Sequence, residues 1–105
     1  MPSLATRPRT NPPVFKPQDR ASAVLKAMGN SHRLTILCHL SRSEASVSEL
    51  EGIVKLSQSA LSQHLAKLRQ EGLVKTRRHA QTIYYSLDGT IAAHVLKALR
   101  SANLI

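Results

Sequence analysis

Between Ser57 and Leu87 the hydrophobic period of the chain switches from helical to strand-like, and this switch limits the fold more than any other feature. In Ser57-Gln58-Ser59-Ala60-Leu61-Ser62-Gln63-His64-Leu65-Ala66-Lys67-Leu68, the residues Leu61, Leu65 and Leu68 fall on one helical face, while small polar side chains crowd the first turns. Leucines in that register anchor a helix to a core. Hydroxyls and amides near its N-terminus can then reach base edges and phosphates in a major groove. Glu71-Gly72-Leu73-Val74-Lys75-Thr76-Arg77-Arg78 follows, then Gln81-Thr82-Ile83-Tyr84-Tyr85-Ser86-Leu87. These segments read as a helix stop, with Gly72 as a left-handed cap, and a basic two-stranded hairpin turning near His79-Ala80. A helix followed by a charged hairpin is the order of a winged helix-turn-helix. The fold class expected is therefore mainly α with a small β-hairpin, about five helices plus a two-stranded wing.

Upstream, Ala21, Val24, Leu25 and Met28 recur as one helical stripe that Gly29-Asn30 interrupts. Ser31 can cap the next helix, whose broad apolar face of Leu34, Ile36, Leu37 and Leu40 suits a central position. Ser46-Val47-Ser48-Glu49 matches a capping box, with Leu50, Ile53 and Val54 as the buried side of a short third helix. Lys55-Leu56-Ser57 then makes a connection of the length that sets two helices at a steep angle, and Ser57 caps the fourth. From Thr90 to Ile105 the pattern is helical again, with Ile91, Val95, Leu96, Leu99 and Leu104 apolar.

At 105 residues the chain has room for one domain, placed at residues 18–105. Its formal charge of +9 favours a polyanionic partner, and nucleic acid comes before a membrane surface because no long apolar run is present. With no apolar leader either, the chain is expected in the cytoplasm. Residues 1–17 hold all 5 prolines and Arg7, Arg9 and Lys16 with no acidic residue, and read as a disordered basic arm. Such an arm either enters a minor groove or is simply solvated. Around the hairpin, Lys67, Arg69, Lys75, Arg77 and Arg78 face the single acidic Glu71, a bias that a merely solvated wing would not need.

Two terminal helices with apolar faces would be left partly uncovered by so small a domain. Pairing with a second copy about a twofold axis covers them, and a homodimer can address two half-sites about 34 Å apart on double-stranded DNA.

Met28-Gly29-Asn30-Ser31-His32-Arg33-Leu34-Thr35-Ile36-Leu37, Leu56 to Leu65, Glu71-Gly72-Leu73-Val74 and Ala80-Gln81-Thr82-Ile83-Tyr84-Tyr85 stand in the order and spacing of the ArsR/SmtB family. The chain resembles that family over roughly residues 20–104, and within it the HlyU, NolR and BigR-type branch. The resemblance implies a dimeric transcriptional repressor whose fourth helix reads the major groove. The candidate DNA-binding residues are Ser57, Gln58, Ser59, Ser62, Gln63, His64 and Lys67 on that helix, with Arg77, Arg78 and Gln81 on the wing. By position in the family, Gln58, Ser59, Ser62 and Gln63 would face bases.

Many members of the family sense metals. The thiolate motif of its arsenic and cadmium sensors corresponds here to Glu44-Ala45-Ser46-Val47-Ser48-Glu49-Leu50, where hydroxyls stand in place of both sulfurs and suit soft ions poorly. The last helix offers His94 without the Asp and His partners of the zinc sensors, and one imidazole cannot build a tetrahedral site. His32 and His39 could share a face but suit capping or partial burial better. No metal and no cofactor is expected. Cys38, the 1 cysteine, occupies a position that relatives of the BigR-type branch use as a redox thiol with a second cysteine near the chain end, which here is Leu104. A lone thiol could still be oxidised or persulfidated, so a redox- or sulfide-responsive repressor is the alternative reading, although a neighbourhood of Leu37 and Leu40 favours packing.

No nucleophile elbow, phosphate loop or metal-hydrolase signature is present, and an enzyme is not expected. A winged-helix module for RNA or protein is the other alternative. Its aromatic platform would be thin, since Tyr84 and Tyr85 are adjacent on a strand and point to opposite faces.

Overall fold

The computed structural model describes residues 17–105, and the basic arm read over residues 1–17 lies outside them except for its last position, where the first helix starts. The order is α1 (Pro17–Met28), α2 (Ser31–Leu40), β1 (Ala45–Ser46), α3 (Val47–Val54), α4 (Gln58–Gln70), β2 (Val74–His79), β3 (Thr82–Leu87) and α5 (Ile91–Ser101). The helices and the hairpin stand where the periodicity puts them, except that the last helix, read to Ile105, stops at Ser101, where Asn103 turns the chain at φ 61° and leaves Leu104 exposed beyond it. The wing, however, has a third strand: β1 pairs antiparallel with β3, Ala45 opposite Tyr85 and Ser46 opposite Tyr84, giving the sheet order β1-β3-β2. Two residues carry no period of their own, so sequence alone reads that strand as a linker.

The helix boundaries have local causes. Asn30, and not Ser31, caps α2: its extended backbone directs the side-chain oxygen to accept from the N–H groups of His32 and Arg33 at 3.0 and 3.1 Å. Ser46 and Glu49 form the expected capping box of α3. The Ser46 hydroxyl accepts from the Glu49 N–H, and the Glu49 carboxylate accepts from the Ser46 N–H at 2.8 Å, a bond that also holds this carboxyl below the usual range. Lys55 turns the chain in the left-handed region at φ 55°, after which the Ser57 hydroxyl caps α4 by accepting from the Ala60 N–H at 3.1 Å. The end of α4 is a Schellman turn, in which the Leu73 N–H donates to the Leu68 carbonyl and the Gly72 N–H to the Arg69 carbonyl, both at 3.0 Å.

Gly72 makes that turn at φ +72°. An L side chain pays about 1–2 kcal/mol in this region, so Gly72→Ala is expected to lower stability by that amount. Urea unfolding of the two proteins measures it. An unchanged midpoint would mean that the turn relaxes elsewhere.

The core lies between the helices and the inner face of the sheet. Ile36, Leu37, Leu50, Leu61, Leu65, Leu68, Leu73, Val74 and Leu96 are fully buried, and no polar side chain among the described residues is buried. In α1 the buried side carries Val24, Ala27 and Met28, while Ala21 and Leu25 turn outward, Leu25 being 57% exposed. α1 has apolar residues on more than one face, and only its seat against α2 and α4 decides which of them are covered.

Candidate nucleic-acid interface

Because Leu61, Leu65 and Leu68 face the core, the opposite side of α4 presents Ser59, Gln63, Ala66 and Gln70 in one exposed row. Ser62 and Lys67 flank it, also exposed. Every side chain of the outward row is short or uncharged, which permits close approach to another surface. Ser57 closes the N-terminal end, where unpaired N–H groups and the helix dipole favour an anion.

The wing stands beside this helix, and a cleft of about 260 Å³ separates the two, lined by Ser46, Val47, Ser48, Gln58, Gln81, Thr82 and Ile83. Gln58 on the helix and Gln81 at the hairpin turn, 23 positions apart in the chain, are thus brought to one site. The turn itself is tight. His79 pairs with Thr82 across Ala80 and Gln81, with Ala80 at φ 55°. Further along α4 a second cleft of about 390 Å³ is bordered by Val47, Ser62, Leu65, Ala66, Arg69, Gln70 and Tyr85.

The neighbouring wing arginines do different work. In the register of the hairpin Arg78 stands opposite Ile83 and Arg77 opposite Tyr84, so alternation sends their side chains to opposite faces. Arg77 lies over the Tyr84 ring at 4.5 Å and donates twice to the Glu44 carboxylate, at 2.7 and 2.8 Å. That pairing holds the Glu44 carboxyl below the usual range and raises Arg77. Arg77, a DNA-binding candidate on the wing, is already engaged by an acidic partner. Arg78 is exposed, on the strand face that carries Val74, Thr76 and, across the register, Tyr85.

His64 takes a place unlike that of its neighbours. Its ring turns from the outward row toward the start of α2, 5.4 Å from the His32 ring and 3.2 Å from the Arg33 guanidinium. It serves the seat of the helix on α2 rather than its exposed face. Arg69, Gln70, Ser48 and Thr82 are not among the DNA-binding candidates named from sequence, yet they border the clefts. Gln70 was legible, since it continues the spacing of Ser59, Gln63 and Ala66. Ser48 and Thr82 were not, because only the folding of the wing onto α3 brings them together.

Cys38 is half-buried and packs at the margin of the core, not in its centre. Among the described residues no three His, Cys, Asp or Glu side chains converge as metal ligands, and no helix is long and apolar enough to cross a membrane.

Residues 30–76 match the family model described as "Bacterial regulatory protein, arsR family". The chain is 48% identical over 99 residues to the transcriptional activator HlyU of Vibrio cholerae, covering 94% of this chain and 92% of that protein. The solved structure of Vibrio cholerae HlyU superimposes with a TM-score of 0.76 at 50% identity, covering 83% of this chain and 96% of that one. A biofilm growth-associated repressor of Agrobacterium fabrum is 39% identical over 88 residues, covering 84% of this chain and 75% of that protein. A homodimeric winged helix-turn-helix DNA-binding domain of Mycobacterium bovis superimposes with a TM-score of 0.75 at 28% identity, over 82% of this chain and 80% of that one.

Proposed function

The chain belongs to the arsR family of bacterial regulatory proteins, transcriptional regulators and not enzymes, and from that premise we propose that it represses transcription by binding an inverted-repeat operator as a homodimer. The observation that carries this reading is the exposed row of α4 standing beside the polar cleft and the wing. In it Ser59, Ser62 and Gln63 read base edges, with Gln63 suited to adenine, while Gln58 and Gln81 meet the backbone or bases beside the cleft. Lys67 and Arg78 contact phosphates. Repression follows simply, since a dimer seated on a promoter excludes other proteins from it.

Support for the second copy comes from α1 and α5. Ala21, Val24, Leu25, Ile91 and Val95, with Arg20 at the edge, line an almost wholly apolar groove of about 340 Å³ on the surface, and Ile91 is 42% exposed. The Mycobacterium bovis neighbour with the same fold is described as homodimeric. Binding is further proposed to need no metal, because Ser46 and Ser48 hold hydroxyls where soft-metal sensors of the family would place thiolates. The cytoplasm, where the DNA is, is the proposed location.

Selection of bound duplexes from a randomised pool in the presence of a chelator, followed by footprinting, tests this reading. An inverted repeat is the expected product. Gln63→Ala should lose about 1–3 kcal/mol of discrimination at one position in each half-site. Arg78→Ala should weaken all duplexes and lower the salt slope by about one, and Arg77→Ala should change that slope less because Glu44 already neutralises it. Equal affinity for every duplex in the pool would overturn specific reading.

A further inference from the structure

Arg33 joins three helices at one point. Its Nε donates to the Ala27 carbonyl at 2.6 Å and one terminal nitrogen to the Lys26 carbonyl at 3.3 Å, satisfying the last turn of α1. The other terminal nitrogen lies 3.2 Å from Nδ1 of His64 on α4. A guanidinium donates only and keeps its charge at any working pH. Nδ1 of His64 must therefore accept, which requires a ring carrying its proton on Nε2 alone.

We propose that Arg33 and His64 form a positioning pair for α4 that closes only while His64 is neutral, so that acidification loosens the seat of the reading helix. Protonation of Nδ1 removes the acceptor and sets a second cation against Arg33. The charged groups against the ring offer no relief. They are Arg33 and His32, both from α2. The ionic contact between α1 and α4 is Arg20 with Glu71 at 3.3 Å, two turns away along α4. Partial burial first, and then the charges of Arg33 and His32, hold the His64 ring below its ordinary value of 6.5. The sign follows: the contribution of the pair is intact above about pH 6.5 and is lost as pH falls through the lower folded value.

The coupling to DNA rests on the reading of α4 as the recognition helix, whereas the pair itself does not. Operator affinity and melting temperature are measured between about pH 7.5 and about pH 5.5 for wild type and His64→Asn, whose side-chain oxygen places a non-titrating acceptor near Nδ1. Acid also adds positive charge to the chain as a whole and so raises duplex affinity generally, and the variant supplies that baseline. Relative to it, the wild type should lose about tenfold in affinity over this range and fall in melting temperature. Ring-nitrogen NMR of the wild type should show His64 as the Nε2–H tautomer at neutral pH, titrating below the ordinary histidine value. Parallel affinity profiles, or a His64 ring protonated on Nδ1 at neutral pH, would overturn the proposal. If no duplex binds either protein, the recognition reading fails, and the ring titration with the melting curves still decides the pair. The NMR arm needs no variant and stands even if His64→Asn does not fold.

Discussion

Leu25→Asp should convert the proposed dimer to a monomer and lower operator affinity by at least about a hundredfold. The side chain is 57% exposed in the single chain, so a monomer tolerates a carboxylate there with little loss. In a twofold interface the substitution appears twice, and each unpaired charge buried there costs about 3 kcal/mol. Operator binding falls in step, because each subunit then holds one half-site alone. Light scattering and gel-shift titration of the same samples read both effects. A Leu25→Asp protein that stays dimeric with full affinity would place the dimer contact elsewhere.

The second large effect falls on stability. Leu61 is fully buried in the first turns of α4, behind the residues proposed to read bases, and Leu61→Ala is expected to cost about 3 kcal/mol, within the range for leucine truncation in a core. That is a large share of the roughly 5–15 kcal/mol that holds a domain of this kind together. Duplex affinity should fall with it, because the exposed row depends on the buried one for its direction. Urea unfolding measures the loss, and a value under about 1 kcal/mol would mean that α4 is not anchored through this face. Leu25→Ala is the contrast, with little expected change in monomer stability from a side chain that is already largely in water.

The period-3.6 register of Leu61, Leu65 and Leu68 was enough to place α4 and to assign its outward face, because a helix that buries one side exposes the other. The same reasoning was ambiguous for α1. Val24, Leu25, Ala27 and Met28 are consecutive or nearly so, and Ala27, fully buried, is too small to weigh in a hydrophobic stripe. Likewise Asn30 and Ser31 are both competent caps, and the backbone conformation chooses between them.

Side-chain partners were the part that sequence could not supply. Arg77 and Arg78 are equivalent cations in one dimension, yet strand alternation separates them, and the return of Glu44 on the segment leading into β1 engages just one. His64 sits in a run of polar residues, and its angle around α4 turns it back to Arg33, 31 positions earlier. Hydrophobic period, capping and turn chemistry act between residues a few positions apart, so the amino-acid sequence by itself determined the helices, the hairpin and the outward face of α4. The third strand of the wing, the clefts beside α4 and the partners of Arg77 and His64 depend on contacts between segments far apart in the chain, and those were decided only when the core closed and set the elements side by side.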